Sequence, residues 1–421
     1  MQMLNRRYPR AIVGFVCMVA VAIGHNSANS DEASNEKTPD ADAAPMEWTD
    51  AATGYKVIRL TRRPGPNLSF YFHNNPFVPA LKDEGDKMLF YGKTDEGMQL
   101  FSLNLKTLEN KQLTHRRGAE SGMRRMRGVR GEIVLPNLRE AFYQWQNDVY
   151  AVNVNTGAER HVATLPDDLR GGISAINADG TLLAGTYSQG SREILARFPQ
   201  KSGYFDRIFD AKLPSKLFTI DARSGKSTVI HEEAAWLNHL QFSPTDPNLL
   251  MYCHEGPWHK LQRIWLINVA TGETRKIHER TVDREIAGHE YWSHDGKTIW
   301  FDLQIPRGEN FYLAGYNVED DRETRYALAR NEWSVHYNIS PDASLFCGDG
   351  GSRTSVAHAA DGQWIYLFRP DGNKLQATRL ADLSHHDYEL EPNAHFSPDG
   401  RWVIFRSNMH GEPQIYAVVL K

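Results

Sequence analysis

The chain has 421 residues, 41% of them hydrophobic and 24% charged, with a formal net charge of −4. A balance this near neutral excludes a generic nucleic-acid binder, which would carry a clustered basic excess, but leaves room for a local basic pocket that takes an acidic ligand. Three cysteines exclude a disulfide framework and a Cys-rich zinc site. Aromatic residues make up 11%, which suits β-rich folds and sugar-binding surfaces.

At the N-terminus, Arg6, Arg7 and Arg10 form a positive n-region. Ala11 to Gly24 is an apolar run, and Ser27 and Ala28 are the small residues of a cleavage site, so residues 1–28 are expected to be a signal peptide. The run is shorter than the roughly 20 residues a transmembrane helix needs. Cys17 lies inside it rather than after it, which argues against a lipoprotein. The mature protein is therefore expected to be exported, periplasmic or secreted, with no transmembrane span; the alternative is that the segment stays uncleaved as a membrane anchor. Residues 29–46 are acidic, Ala/Ser-rich and aperiodic, the composition of a disordered linker. Residues 47–421 are expected to form a single domain, and the protein a monomer.

From there an internal repeat runs to the end of the chain. Each copy has an apolar residue, then Ser-x-Asp-Gly or a variant, then a β-rich run. The copies are Pro79 to Lys93, Ser174 to Ser188, Leu240 to Gly256, Glu290 to Gln304, Tyr337 to Gly351 and Ala394 to Asn408. Asp-Gly marks a tight hairpin turn, and the alternating apolar residues after it mark a second strand. Third strands follow as QLFSLNL, DVYAVNV, KLFTIDA, RIWLINV, FYLAGYN, WIYLFRP and QIYAVVL, most with a short polar fourth strand behind. The gap between Leu81 and Ile176 holds one more unit, with its first strand near Arg127 to Leu135, and an insertion falls around Arg192 to Asp210. The expected fold is all-β, a seven-bladed β-propeller. The last blade lacks a fourth strand, and Tyr55 to Arg62 reads as the N-terminal strand that closes the ring there and removes an exposed edge.

In a propeller the first strand of each blade lines the central channel. Three residues before the apolar anchors Phe242, Trp292, Ile339 and Phe396 stand His239, His289, His336 and Asn393, one register in four successive blades. Glu391, two residues before Asn393, shares its facing by strand alternation. With 17 histidines in the chain, three at these four positions point to a metal or proton-transfer site at the channel mouth. His289, Glu391 and Asn393 are expected to bind one divalent ion, Mn2+ first and Ca2+ second, because carboxylate and amide oxygens favour harder ions. His336 is expected as a further ligand or a donor that orients a carboxylate. His254, in CHEGPWH, is the rival candidate for a catalytic base, with His336 next; it reaches the pocket only if its loop turns inward, and a hydrogen-bonded turn explains it equally. Arg127, in RRMRGVR, and Arg170, at the same point one blade later, are candidates for anion binding. His385 and His386 precede the last inner strand.

The segments GHEYWSHDG, FSPTDPNLLMYCHEGPW, WSVHYNISPD with GDGG, and FSPDGRWVIFRSN resemble the oligogalacturonate lyases. The resemblance covers residues 48–421. It implies a seven-bladed propeller of pectin degradation that splits uronic-acid oligosaccharides by β-elimination, with a manganese-type ion held by histidines and a glutamine and a further histidine as base. His289 then matches a metal histidine and His239 the base. In the last blade Glu391-Pro392-Asn393 stands where the family has His-Pro-His, and Tyr388 where it has glutamine. The competing reading is a non-catalytic TolB-like propeller that binds a protein or sugar partner, motivated by the Ser-Pro-Asp-Gly repeats.

Overall fold

The computed structural model describes residues 45–117 and 128–420. The expected signal peptide, nearly all of the expected linker, and Arg127 lie outside them. Antiparallel blades follow one another along the chain. The first spans Asn67–Gln112, the second Arg130–Thr164, the third Gly172–Glu233 and the fourth Leu237–Lys276. The fifth spans Ile286–Leu328 and the sixth Ser334–Asp382. The seventh runs from His395 to Val419, and Lys56–Arg59 supplies its fourth strand, with Val57 opposite Val418 and Arg59 opposite Tyr416. Glu47–Thr49 adds a further strand outside it. The fifth and sixth blades are joined at their outer edges, where Ala327 pairs in parallel with Lys374. No helix among the described residues is long and apolar enough to cross a membrane.

The repeat makes its turns by one device. Ser293 donates to Asp295 Oδ1 at 2.6 Å and its hydroxyl accepts from Thr298 N at 2.9 Å. Ser397 repeats this with Asp399 at 2.7 Å and Trp402 N at 3.0 Å. The next residue must turn left-handed, and Gly296 and Gly400 do so at φ 69°. In the sixth blade Ala343 takes that place at φ 58°. The core lies between blades. Ile133, Phe142 and Val149 of the second pack on Ile173, Leu183 and Phe218 of the third. Met88, Phe90 and Leu103 of the first pack on Ile404, Ile415 and Ala417 of the seventh, so burial continues around the ring.

Two departures position the site. The insertion is a helical hairpin, Ser191–Arg197 and Lys201–Ala211, inside the third blade. Its second helix buries Tyr204 and Ile208, and its Phe205 ring lies 5.4 Å from Trp236. A Cβ on Gly256 would come within 2.3 Å of Phe209, so this helix rests on the HEGPW turn. The first blade departs from the repeat expected over Pro79 to Lys93. Leu81 is exposed, and the inner strand is instead Asn67–Ser69 with Phe77–Val78, both paired to Lys87–Thr94. Between those two pieces residues 70–76 leave the sheet opposite Leu89, whose N–H donates to Pro76 O at 2.8 Å.

Candidate active site

The inner strands carry the site through a repeated backbone irregularity. His239, His289 and Asn393 all adopt left-handed conformations, at φ 50°, 52° and 55°. For a residue with a Cβ this costs about 1–2 kcal/mol, and such strain clusters at functional positions. In the fourth and fifth blades the ladder slips at these residues, between Asn238 and Gln241 and between Gly288 and Tyr291. Each is a β-bulge that re-aims one side chain. The result brings His289 beside His336, with ring centroids 4.9 Å apart.

His336 is fully buried and held from behind. Asp349 Oδ2 lies 2.9 Å from its Nδ1, and Asp349 Oδ1 accepts its backbone N–H at 2.7 Å. Its Nε2 stands 3.6 Å from Glu391 Oε2. Burial pushes the Glu391 carboxyl up from its ordinary range, with His336 and Arg406 opposing. Burial likewise holds His289 well below the usual imidazole range, and the neighbouring charges of His336, Arg263, His239 and Lys201 add to that.

Asn393, expected as a metal ligand, does something else. Its Oδ1 accepts the N–H of Phe72 at 3.0 Å, and its Nδ2 donates to Glu391 O at 3.0 Å. The oxygen thus fixes the excursion of residues 70–76, and the nitrogen ties back to Asn393's own segment. That segment crosses the channel: Tyr71 N and Asn74 Nδ2 donate to Glu132 at 2.6 and 2.8 Å, and Asn338 Nδ2 donates to Phe72 O at 3.3 Å. The Phe72 ring lies 4.6 Å from that of His336. The segment also delivers His73, with its ring 6.4 Å from His239, and burial keeps His73 well below the ordinary imidazole range.

Behind His239 is a buried ionic chain. His239 Nε2 lies 3.2 Å from Glu255 Oε2. Glu255 Oε1 accepts from Arg263 Nη1 at 3.1 Å, and Arg263 grips Glu290 with Nε at 3.0 Å and Nη2 at 3.3 Å. Burial alone would raise Glu255, but Arg263 and His239 hold it well below the carboxylate range. His239, Cys253 and Glu255 place ligand atoms within 4.8 Å of one another, a grouping that His289, His336 and Glu391 do not match. The guanidinium of Arg263 already supplies the positive charge there, which argues against an ion on that trio.

The remaining expected residues divide. The guanidiniums of Arg130 and Arg192 converge on one turn, donating to Gly171 O at 3.1 Å and to Arg170 O. Like charges gathered on one turn suit an anionic ligand. Arg170 itself pairs with Asp167. His254 is not at the site: its Nε2 lies 2.8 Å from Glu233, and its ring stacks on Trp265 at 5.2 Å between the third and fourth blades. His386 is buried, bound to Ser407 Oγ and Leu390 O, and burial lowers it to about 4. His385 is exposed. Tyr388 donates its hydroxyl to Gly350 O, a structural role. Cys253 and Cys347 are buried free thiols.

Comparison with known proteins bears on the family and the fold. A family model described as oligogalacturonate lyase matches residues 43–421. The oligogalacturonate lyase of Dickeya dadantii (strain 3937) is 26% identical over 387 residues, covering 88% of this chain and 94% of its own. The oligogalacturonide lyase of Pectobacterium atrosepticum is 27% identical over 389 residues, with the same coverage. A solved oligogalacturonate lyase in complex with manganese superposes at a TM-score of 0.75 with 26% identity, over 89% of this chain and 96% of that one. Another, from Vibrio parahaemolyticus, superposes at 0.76 with 24% identity over the same shares and supports the fold. Matched along its blades from end to end, and with histidines turned into one mouth of the ring, the chain belongs to the oligogalacturonate lyase family and is a polysaccharide lyase of that type.

Proposed function

We propose that the protein cleaves oligogalacturonate or a related uronate oligosaccharide by β-elimination, with His239 as the base. The observation that carries this is the pair of left-handed histidines, His239 and His289, beside His336 and Glu391 at one channel mouth. The C5 proton of a uronate is only weakly acidic, because the adjacent carboxylate resists further negative charge. Lys201, whose charge acts on both His289 and Glu391, supplies positive charge beside those residues to offset that carboxylate. His239 takes the C5 proton, the C–H electron pair becomes the C4–C5 double bond, and the C4–O4 bond breaks. The products are a 4,5-unsaturated uronate and a sugar whose O4 takes up a proton.

Two imidazoles and a carboxylate are donors suited to a borderline or hard divalent ion, with Mn2+ the first choice and Ca2+ the second. His289, His336 and Glu391 would hold it: His336 Nε2 and Glu391 Oε2 are 3.6 Å apart and the His289 ring is 4.9 Å from that of His336, so the three would have to draw closer than they stand here. When bound, such an ion offsets the substrate carboxylate and the enolate-like charge that follows proton removal. Asn393 drops out of this set, since its amide holds Phe72.

The test is ultraviolet absorbance of the unsaturated product from oligogalacturonate with Mn2+, run alongside metal analysis. His239→Ala is expected to lower turnover by about 10²–10⁴, the usual weight of a general base, with metal content unchanged. His254→Ala is expected to keep near wild-type activity. Loss of activity in His254→Ala alone, or no activity of the wild type on any uronate oligosaccharide, would overturn the proposal.

A further inference from the structure

Behind the proposed base lies a feature that the elimination reaction does not by itself demand. Glu255, Arg263 and Glu290 are 6%, 4% and 2% exposed, a chain of three charges sealed under the HEGPW turn. Burying ions is costly unless each is paired and hydrogen-bonded. Here each is: Glu255 Oε1 accepts from Gly256 N at 3.1 Å, Trp258 Nε1 at 3.0 Å and Arg263 Nη1 at 3.1 Å. Arg263 is sandwiched further, 4.3 Å from the Trp258 ring. With Oε1 saturated by three donors, the second oxygen, Oε2, is left for His239 Nε2 at 3.2 Å.

We propose that Glu255 is the positioning residue of the base, fixing His239 in the tautomer that carries its proton on Nε2 and leaves Nδ1 as the proton-accepting atom. This rests on the reading of His239 as the base. Nε2–H donates to Glu255 throughout, while Nδ1 receives the C5 proton of the uronate. One arginine against two glutamates leaves the sealed chain one negative charge in excess. The imidazolium formed on proton transfer cancels that excess, so the chain stabilises the charge as it develops. Arg263, bidentate to Glu290 and bound to Glu255, keeps the carboxylate from rotating. The HEGPW and GHEYW segments thereby act together: the first supplies the carboxylate, and the second supplies both Glu290 and the metal-side His289.

The discriminating variant is Glu255→Gln. Three donors already converge on Oε1, so the amide oxygen must take that place and the NH2 must face His239. An NH2 cannot accept Nε2–H, so His239 is forced to the opposite tautomer with its proton on Nδ1. Turnover is expected to fall by up to about 10⁴, the scale seen when a carboxylate that sets a catalytic histidine's tautomer becomes an amide. KM and metal content should change little. Nitrogen-15 NMR of histidine-labelled protein, with the His239 signals assigned by their loss in His239→Ala, should show Nε2–H in the wild type and Nδ1–H in Glu255→Gln. Turnover within threefold of wild type, or the same tautomer in both proteins, overturns the inference. If His239→Ala retains activity, the base assignment itself fails. If His239→Ala is inactive and Glu255→Gln is active, only the role of Glu255 fails.

Discussion

Truncating Phe72 to alanine tests whether the excursion of residues 70–76 is a packed plug or a strand of chain draped across the channel. The ring is 2% exposed and lies 4.6 Å from His336, 5.8 Å from Tyr291 and 6.4 Å from His289. Losing it forfeits about 1.5–3 kcal/mol of apolar transfer. It also opens a cavity whose walls belong to the fifth and sixth blades. Those walls are anchored in separate ladders, and Asp349 holds His336 in place, so they cannot close in. That puts the total near the upper end for a buried phenylalanine, roughly 4–5 kcal/mol. The backbone hydrogen bonds of Phe72 to Asn393 and Asn338 do not depend on the ring and should survive. With an unfolding entropy of about 2.1 cal/mol/K per residue, a domain of roughly 375 residues shifts by about 1.3 °C per kcal/mol, so the melting temperature should fall by roughly 5–6 °C. Calorimetry on protein stripped of metal by a chelator reads this without help from a bound ion. A fall of less than about 1 °C would mean that the ring's burial contributes little, and the plug description would be refuted.

Two further changes probe the scaffold. Ala343→Gly should stabilise the protein by about 0.5–1 kcal/mol, because alanine sits at φ 58° where the sister turns use glycine; an unchanged or lowered urea midpoint contradicts the shared-turn reading. His386 is buried neutral, with burial lowering it to about 4. A base whose folded pKa is depressed lends stability above its unfolded value near 6.5, and that stability is lost as pH falls toward 4. The wild type should therefore lose up to about 3 kcal/mol from this residue across that window. His386→Gln should flatten the loss in urea titrations at pH 7 and 4.5, and an equal slope in both proteins would count against it.

The blades were legible because the Ser-x-Asp-Gly turn is a local device, with a hydroxyl, a carboxylate and a left-handed residue within four positions. The histidine register was legible for a related reason: the anchor residue before that turn counts each inner strand from the same origin. What sequence alone could not show is which neighbour reaches each position. Asn393 sits in the histidine register, but its partner Phe72 is 321 residues away and belongs to a stretch with no periodicity. Glu255 is hidden inside a motif whose histidine, His254, draws attention and turns outward to Glu233. Arg263 opens a third strand and reads as scaffold until the fold lays it between two carboxylates. His73 gives no signal at all, since the repeat expected in the first blade begins after it.

The closure of the seventh blade sets an order on biosynthesis. Lys56–Arg59 leaves the ribosome early, yet its hydrogen-bonding partner, Gln414–Val419, is among the last segments made. At roughly 5–20 residues per second, the early strand waits on the order of 20–70 s for its mate. During that interval six blades can collapse on one another through their local hairpins, but the circle stays open, with an unpaired edge at Lys56–Arg59. Loop closure over so long a span is entropically slow compared with hairpin formation. The two ends can pair only once the final strand has been made, and a chain cut short within that strand leaves the seventh blade without its closure.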